Sequence, residues 1–337
     1  MNAPTETNSE PTLRDKFLLL AHNNAGLKAV ERLIQTKFES EAKLLNEIPS
    51  YLLSLGGKRI RPLLCLICAR ALGMSSPNQA LLEVSAGIEL IHMATLLHDD
   101  IIDKSPVRRH KQSAFLKFGI PNTLLAGDFL LVRAFSLCAK LDKFIIEATE
   151  KACIELTEGE IEELPLSQAI LTPEQVLEIA RKKTAALFRL SCESAAFIAT
   201  GNTALVERFA RFGENLGVAF QILDDILDVV SDEETLGKKA GQDIREQKPS
   251  IVNALWIRSG SPTSKKLAQA GATDSDHYVA TAIQELKESG IIHEARTLAL
   301  QFVTRAREAI STPLPKNNPA NLKELETILD YTVSRLE

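Results

Sequence analysis

A chain of 337 residues is long enough for one large domain or two smaller ones, with room for a sizeable core. Apolar residues make up 45% of it and charged residues 25%, which is typical of soluble globular proteins. Its 39 lysines and arginines against 44 aspartates and glutamates give a net charge of −5, which excludes the broad basic surface that binds nucleic acid non-specifically. We therefore expect no nucleic-acid partner.

The start of the chain and its cysteines indicate the compartment. Residues 1–15 are polar and lack both the basic start and the apolar core of a secretory signal. No stretch approaches the roughly 18 to 20 consecutive apolar residues of a membrane span. The cysteines lie in apolar runs and are odd in number, which indicates reduced core residues; they are Cys65, Cys68, Cys138, Cys153 and Cys192. We expect a soluble, cytoplasmic protein without a membrane span.

Apolar residues recur at spacings of three and four in seven segments, which predicts helices, and period-two alternation is absent. In chain order the segments are 53–73, 81–103, 124–140, 145–164, 173–200, 205–231 and 291–310. The sequence TPEQ at 172–175 has the pattern of a helix capping box. Connections are expected at 75–78, 142–144, 259–276 and 311–321, of which the third is long and polar enough to be mobile. No shift of composition divides the chain, so we expect a flexible tail over residues 1–12 and one all-α domain over 13–337.

Two segments share an acidic pattern at the end of an apolar helix: HDDIID at 98–103 and LDDILD at 223–228. Residues i and i+4 lie on one face of a helix, so Asp99 is beside Asp103 and Asp224 is beside Asp228. His92 and Gln221 precede the two clusters on the same faces.

A single acidic cluster of this kind is usually a solvated helix face. That interpretation fails here, because unpaired carboxylates among leucines and isoleucines would cost several kcal/mol, and because the pattern occurs twice. Bound Mg²⁺ would explain both the burial and the repetition of the pattern, since it takes carboxylate oxygens, keeps several waters and recruits phosphate oxygens. Two facing clusters would therefore hold Mg²⁺ and, through it, a diphosphate.

Cationic side chains that a diphosphate requires occur in four places. GGKRIRP at 56–62 is a glycine turn with three cations, and it lacks the Gly-Lys-Ser/Thr of a Walker loop. Arg108 and Arg109 follow the first acidic cluster closely, and the planar guanidinium suits bidentate phosphate contacts. KKT at 182–184 and GKK at 237–239 are further candidates. Each of these alone could equally be solvated surface charge.

Together these motifs resemble the trans-isoprenyl diphosphate synthase (polyprenyl synthetase) family. The matching motifs, in family order, are GGKRIRP at 56–62, HDDIID with RR at 98–109, GDFLLVRAF at 127–135, KKTAALF at 182–188, and FQILDDILD with LGK and QDIREQK at 220–248. The resemblance implies an isoprenoid synthase-type bundle of antiparallel helices around a central active-site cavity, as a homodimer. It also implies three Mg²⁺ ions with the bound diphosphate.

The implied reaction joins an allylic diphosphate to isopentenyl diphosphate, head to tail and in trans geometry. Loss of the allylic diphosphate leaves a carbocation, which the isopentenyl double bond attacks. Proton loss, with the departing diphosphate as base, then gives a longer allylic product. This is electrostatic catalysis of charge separation, so no nucleophilic side chain is needed.

The resemblance assigns roles residue by residue. The implied catalytic residues are Asp99, Asp103, Asp224 and Lys183, and the implied metal residues are Asp99, Asp103 and Asp224, supported by Asp100 and Asp228. The isopentenyl diphosphate pocket is assigned to Lys58, Arg61, His92 and Arg109. The contacts to the allylic diphosphate are assigned to Arg108, Lys183, Thr184, Gln221, Lys238 and Lys248.

The chain departs from the family pattern at three places. His110 stands where the family has glycine, Glu162-Glu163 replaces an apolar-Gln pair, and Pro249-Ser250 replaces Val-Thr. None of these changes removes a cation or a metal ligand, so they affect local geometry rather than the class of reaction.

Product length depends in this family on aromatic residues four or five positions before the first aspartate. Here those positions are Thr95 and Ala94, both small, with Ile91 and Ile88 as a deeper aliphatic floor. We therefore expect a long product, about seven to nine isoprene units by analogy, for a respiratory quinone side chain. Such a product would need transient membrane contact for its release. A short-chain (farnesyl or geranylgeranyl) diphosphate synthase, a class I terpene cyclase and a non-catalytic partner subunit remain alternatives.

Overall fold

The structure is a computed structural model that describes residues 12–163, 168–231, 240–269, 275–311, 314 and 319–335. The predicted tail lies almost wholly outside the described residues. The helices that the structure describes are α1 (Leu13–Asn23), α2 (Ala25–Thr36), α3 (Lys43–Ser54), α4 (Ile60–Ala71), α5 (Gln79–Ile102), α6 (Ala114–Phe118), α7 (Ile120–Cys138), α8 (Lys143–Glu162), α9 (Pro173–Ala180), α10 (Ala186–Thr200), α11 (Thr203–Val230), α12 (Gln242–Arg245), α13 (Ile251–Ser259), α14 (Pro262–Leu267), α15 (Asp276–Glu288), α16 (Ile291–Ser311) and α17 (Pro319–Ser334). The all-α prediction is thereby confirmed.

Two predicted boundaries were wrong. The helix expected from residue 53 begins at Ile60, because the chain turns at Gly56 and Gly57 and leaves α4 as a separate helix. The connection expected at 259–276 contains α14, which begins with Pro262 at its first turn and with the Ser261 side chain accepting the Ser264 N–H. Helices α1 to α3 were not predicted, because their apolar residues are interspersed with charged ones.

The apolar helix α5 runs through the centre of the bundle and packs against α2, α4, α7 and α10. Its buried residues belong to the larger of two apolar clusters, which also holds most of α4 and α10. A second cluster joins the C-terminal half of α11 to α13, α15 and α16. The long helix α11 passes through both clusters, so it connects them. That the chain is a single domain stays a prediction.

Two helices, α5 and α7, are long and apolar enough to cross a membrane by length and composition. This corrects the expectation from sequence that no stretch approaches such a length. In α5, 67% of the most apolar window is buried inside the molecule, which is the burial of a core helix. In α7 the buried share is 33%, so much of its apolar surface is exposed.

The segment predicted as one helix at 173–200 contains a π-helical turn, Arg181–Ala185, between α9 and α10. A π-helical turn is rare and is found most often at functional sites. A Cβ on Gly217 of α11 would lie 2.5 Å from the Ala185 Cα, so only glycine lets α11 approach this turn so closely.

A short hairpin follows α5, with β1 (Val107–Arg108) and β2 (Lys111–Gln112) paired antiparallel. Arg109 and His110 form its two-residue turn, with φ angles of 51° and 63°. Positive φ at both central residues defines a type I′ turn, which favours Asn or Gly. A histidine at the second position therefore has an unfavourable backbone conformation, where the family has glycine.

Replacing His110 with glycine should stabilise the protein by about 0.5–1 kcal/mol, because glycine adopts positive φ without the Cβ penalty. Denaturant unfolding followed by circular dichroism measures the change. The matched control is His293→Gly at an exposed position in the first turn of α16, which should lose at most about 1 kcal/mol because glycine destabilises a helix. Equal losses in both variants would contradict the assignment of the turn.

Candidate active site

A cavity of about 830 Å³ opens between α4, α5, the hairpin, the π-helical turn, α11 and the loop before α13. It brings together most of the predicted site residues, although they come from distant parts of the chain. Those that line it are Lys58, Arg61, His92, Thr95, Asp99, Asp103, Arg108, Arg109, Lys183, Thr184, Gln221, Asp224 and Lys248. Lys238 lies outside the described residues.

Three predicted metal ligands, Asp99, Asp103 and Asp224, line the cavity, and cations face each of them. Lys248 Nζ lies 2.7 Å from Asp103 Oδ2, and the Arg335 guanidinium pairs with Asp224. Burial raises the pKa of Asp99 to about 7. These partly buried carboxylates favour a positive charge nearby, and their hard oxygens fit Mg²⁺.

No three acidic, histidine or cysteine side chains of the described ranges converge closely enough to hold a metal ion by themselves. This arrangement agrees with the usual binding of Mg²⁺, which takes one or two carboxylates and completes its shell with water and substrate phosphate.

The remaining acidic residues of the two clusters hold protein groups instead. Asp100 is 1% exposed and does not line the cavity; its Oδ1 accepts a hydrogen bond from Arg108 Nε at 2.7 Å and forms an ion pair with the same guanidinium at 2.6 Å. Asp228 is also buried, and its Oδ2 accepts the Asp243 N–H at 2.9 Å. Neither residue lines the cavity, and they contact Arg108 and the backbone at Asp243 instead; their supporting role at a metal site stays a prediction.

The predicted isopentenyl diphosphate pocket centres on a buried carboxylate that the sequence analysis missed, Glu89. Arg59 Nη1 donates to Glu89 at 3.1 Å, and Arg61 lies 5.0 Å above the Phe188 ring. Burial lowers the pKa of Arg61 to about 10, so it keeps its charge. Burial, together with the surrounding arginines, lowers the pKa of His92, which is therefore neutral near pH 7.

Thr184, Gln221 and Asp225 form a chain of hydrogen bonds from the π-helical turn to α11. Thr184 Oγ1 donates to Gln221 Oε1 at 2.6 Å, and Gln221 Nε2 donates to Asp225 Oδ1 at 2.8 Å. The other oxygen of Asp225 accepts the Ile251 N–H at 2.8 Å. Asp225 thus orients its neighbours, although it lines the cavity.

The cavity reaches one of the four predicted chain-length residues. Thr95 lines it, together with the apolar residues Leu96, Leu156, Leu187 and Phe220. Ala94, Ile91 and Ile88 do not line it and are fully buried in the core.

The sequence analysis missed several residues of the cavity. Glu89 lies one turn before His92 and could have been found from that spacing. Glu163, Asp243 and Phe220 also line the cavity, whereas Arg335 reaches Asp224 from the far end of the chain, which no local pattern could indicate.

A family model described as polyprenyl synthetase matches residues 42–286. The octaprenyl diphosphate synthase of Escherichia coli (strain K12) is 31% identical over 296 residues, which cover 87% of this chain and 90% of that enzyme. The chain belongs to the polyprenyl synthetase family. It is a trans-prenyltransferase, which confirms the resemblance inferred from the motifs.

Two further proteins are similar to this synthase over most of its length. A short-chain isoprenyl diphosphate synthase of Methanothermobacter thermautotrophicus is 33% identical over 290 residues, covering 84% of this chain and 88% of that enzyme. A crystal structure of a polyprenyl synthase from Caulobacter crescentus CB15, complexed with calcium and isoprenyl diphosphate, is 34% identical with a TM-score of 0.87. It covers 97% of this chain and 98% of its own.

Adjacent aspartates in the synthase should have opposite effects on stability. Asp100→Asn should lower the free energy of unfolding by about 2–4 kcal/mol, because it breaks a buried ion pair. Asp99→Asn should raise the stability, because burial disfavours the Asp99 carboxylate. The folded pKa of Asp99 is about 7 and lies above the unfolded value, so the gain should grow as pH rises from about 4 to 7.

Urea unfolding at pH 5 and pH 8, in EDTA, measures both effects. Losses of equal size in the two variants would contradict the different environments of these carboxylates.

Proposed function

We propose that the synthase adds isopentenyl diphosphate repeatedly to an allylic diphosphate and releases a long trans-polyprenyl diphosphate, suited to a quinone side chain. The observation that carries the length is the small Thr95, which lines the cavity one turn before Asp99. Behind it, Ala94, Ile91 and Ile88 include no aromatic residue that would block a growing chain. The octaprenyl relative supports the same length class.

We assign Asp99, Asp103 and Asp224 to Mg²⁺, which when bound would neutralise the charge that develops on a departing diphosphate. Lys183, Thr184, Arg108, Gln221 and Lys248 would then hold the allylic diphosphate, because all five line the same cavity as these aspartates. Lys238 is included in this proposal on the basis of the sequence alone, because it lies outside the described residues.

The isopentenyl diphosphate would bind to Lys58, Arg61 and Arg109, with His92 beside them. His92 is a neutral hydrogen-bonding group there and adds no further repulsion among the cations. Loss of the allylic diphosphate leaves a carbocation, which the neighbouring double bond attacks. The apolar wall of Leu96, Leu156, Leu187 and Phe220 keeps water from the carbocation.

A short-chain product is the second candidate. Because Ala94, Ile91 and Ile88 are fully buried and do not line the cavity, a chain that grows past Thr95 requires these side chains to move. The relative with a short-chain name is as similar as the long-chain one. Product analysis distinguishes the two candidates.

A homodimer is part of the proposal. Apolar side chains are exposed along α7 and α8, where a second copy would bury them; they are Leu124, Leu125, Val132, Phe135, Ile154 and Ile161. We also propose a cytoplasmic location, which the five free cysteines support. Transient membrane contact for product release would use the exposed Leu18, which lines the cavity, and its exposed neighbour Leu19.

Incubation with labelled isopentenyl diphosphate, farnesyl diphosphate and Mg²⁺ should give a ladder that ends near about 35 to 45 carbons, by analogy with the family. Chromatography of the dephosphorylated products measures it, and EDTA should abolish it. A single product of 20 carbons would establish the short-chain alternative.

In the same assay Asp224→Ala should lower turnover by at least about 10²-fold, because it removes charge stabilisation at the departing diphosphate. The matched control is Asp330→Ala, which breaks a surface ion pair to Arg307 outside the cavity and should retain activity. Normal turnover in Asp224→Ala, with unchanged helicity, would overturn the metal assignment.

Thr95→Phe should shorten the longest product without stopping the reaction, because a phenyl ring would narrow the cavity at that position. Chromatography of the product ladder measures the change. Ala94→Phe is the comparison: if it alone shortens the product, the growing chain passes Ala94 rather than Thr95.

A further inference from the structure

Lys183, which we assign to the allylic diphosphate, is held by two glutamates from the end of α8. Its Nζ lies 2.7 Å from Glu160 Oε2 and also pairs with Glu163 Oε2. All three side chains are about four-fifths buried. Because such a pair is largely shielded from solvent, it is stronger than an exposed ion pair.

The backbone fixes this contact. A Cβ on Gly159 of α8 would lie 3.0 Å from Lys182 Cβ and 3.1 Å from the Lys183 N, so α8 and the π-helical turn approach as closely as glycine permits. The backbone therefore holds the side chain of Lys183 close to those of Glu160 and Glu163. The neighbouring Lys182 has its own partners, Glu158 and Glu162.

Glu163 differs from the other glutamates of α8 because it lines the cavity. Its charge also reaches Lys248: although burial acts in the opposite direction, Asp103 and then Glu163 raise the pKa of that lysine. Glu163 therefore stands among the cations that would receive an allylic diphosphate.

The formal charges around the cavity cancel. Its ionisable lining, with histidine neutral, has seven acidic residues (Glu89, Asp99, Asp103, Glu163, Asp224, Asp225 and Asp243) and seven basic ones (Lys58, Arg59, Arg61, Arg108, Arg109, Lys183 and Lys248). Removing one negative charge would leave the lining with a formal charge of +1. A diphosphate must therefore displace existing ion pairs before it binds the cations.

We propose that Glu163 competes with the allylic diphosphate for Lys183 and so sets how tightly the synthase holds a diphosphate at this subsite. This inference rests on the proposed function, because it requires that Lys183 binds the diphosphate. Weaker holding favours release of the inorganic pyrophosphate that forms in each round of elongation. Glu163 is thus a specificity-determining residue that acts through Lys183.

The test is Glu163→Gln, which removes the charge but leaves an amide oxygen that can still accept a hydrogen bond from Lys183. Calorimetric titration with inorganic pyrophosphate in Mg²⁺ should show binding at least about threefold tighter than in the wild type. The KM for farnesyl diphosphate should fall, whereas the KM for isopentenyl diphosphate should stay unchanged. A merely structural role would not separate the two KM values in this way.

Glu162→Gln is the matched control, since it removes the same charge one residue earlier from a partner of Lys182 outside the cavity. It should leave pyrophosphate binding within about 1.5-fold of the wild type, because an exposed pair is strongly screened. Equal tightening in both variants would show a general charge effect and overturn the proposal, as would unchanged or weaker binding in Glu163→Gln.

A double-mutant cycle tests the route through Lys183. In a Lys183→Ala background, Glu163→Gln should lose most of its effect on pyrophosphate binding. Undiminished tightening there would mean that Glu163 acts directly on the diphosphate and would overturn the competition with Lys183. If the folded wild type binds no pyrophosphate in Mg²⁺, the proposed function itself fails, which is a different result from equal binding by wild type and variant.

Discussion

Ion pairs between acidic and basic side chains around one cavity stabilise the arrangement of the site residues. Two acidic clusters on α5 and α11 would repel each other if they were left alone in an apolar bundle. Lys248 pairs with Asp103 from 145 residues away, and Arg335 reaches Asp224 from 111 residues away. These pairs bring cations from distant parts of the chain to the two acidic clusters.

The acidic cluster at Asp99 and Asp103 favours nearby cations for a second reason, which is its position at the C-terminus of α5. Asp99 lies in the last turn of α5, and Asp103 is its C-cap residue. The C-terminus of a helix carries a partial negative charge, so carboxylates there are unfavourable. Positive groups from the hairpin, the π-helical turn and Lys248 compensate for it. A divalent cation bound by these carboxylates would compensate for the same partial charge.

The sequence predicted the helical class and most of the cavity lining, because paired aspartates in apolar helices and a cationic glycine turn both favour a metal-bound phosphate ligand. It separated Asp99 from Asp100 through the resemblance alone, because only packing shows which of two adjacent helix residues meets Arg108. It also missed the π-helical turn, because a single turn of five residues is too short to show an apolar period of its own. Arg335 and Glu163 lie near the site residues only in the folded structure, so the sequence did not indicate their contacts.

Close packing of α11 against the π-helical turn explains why the hydrogen bonds from Thr184 to Gln221 and from the Ile251 N–H to Asp225 can be so short. Gly217, Gln221 and Asp225 follow each other at intervals of four and therefore share one face of α11. Because Gly217 lets the backbone approach Ala185, Gln221 reaches Thr184 one turn later and Asp225 reaches the Ile251 N–H beyond it. A side chain at position 217 would push the turn away and carry Lys183 with it. The placement of a cation for the substrate thus depends on a residue that has no side chain.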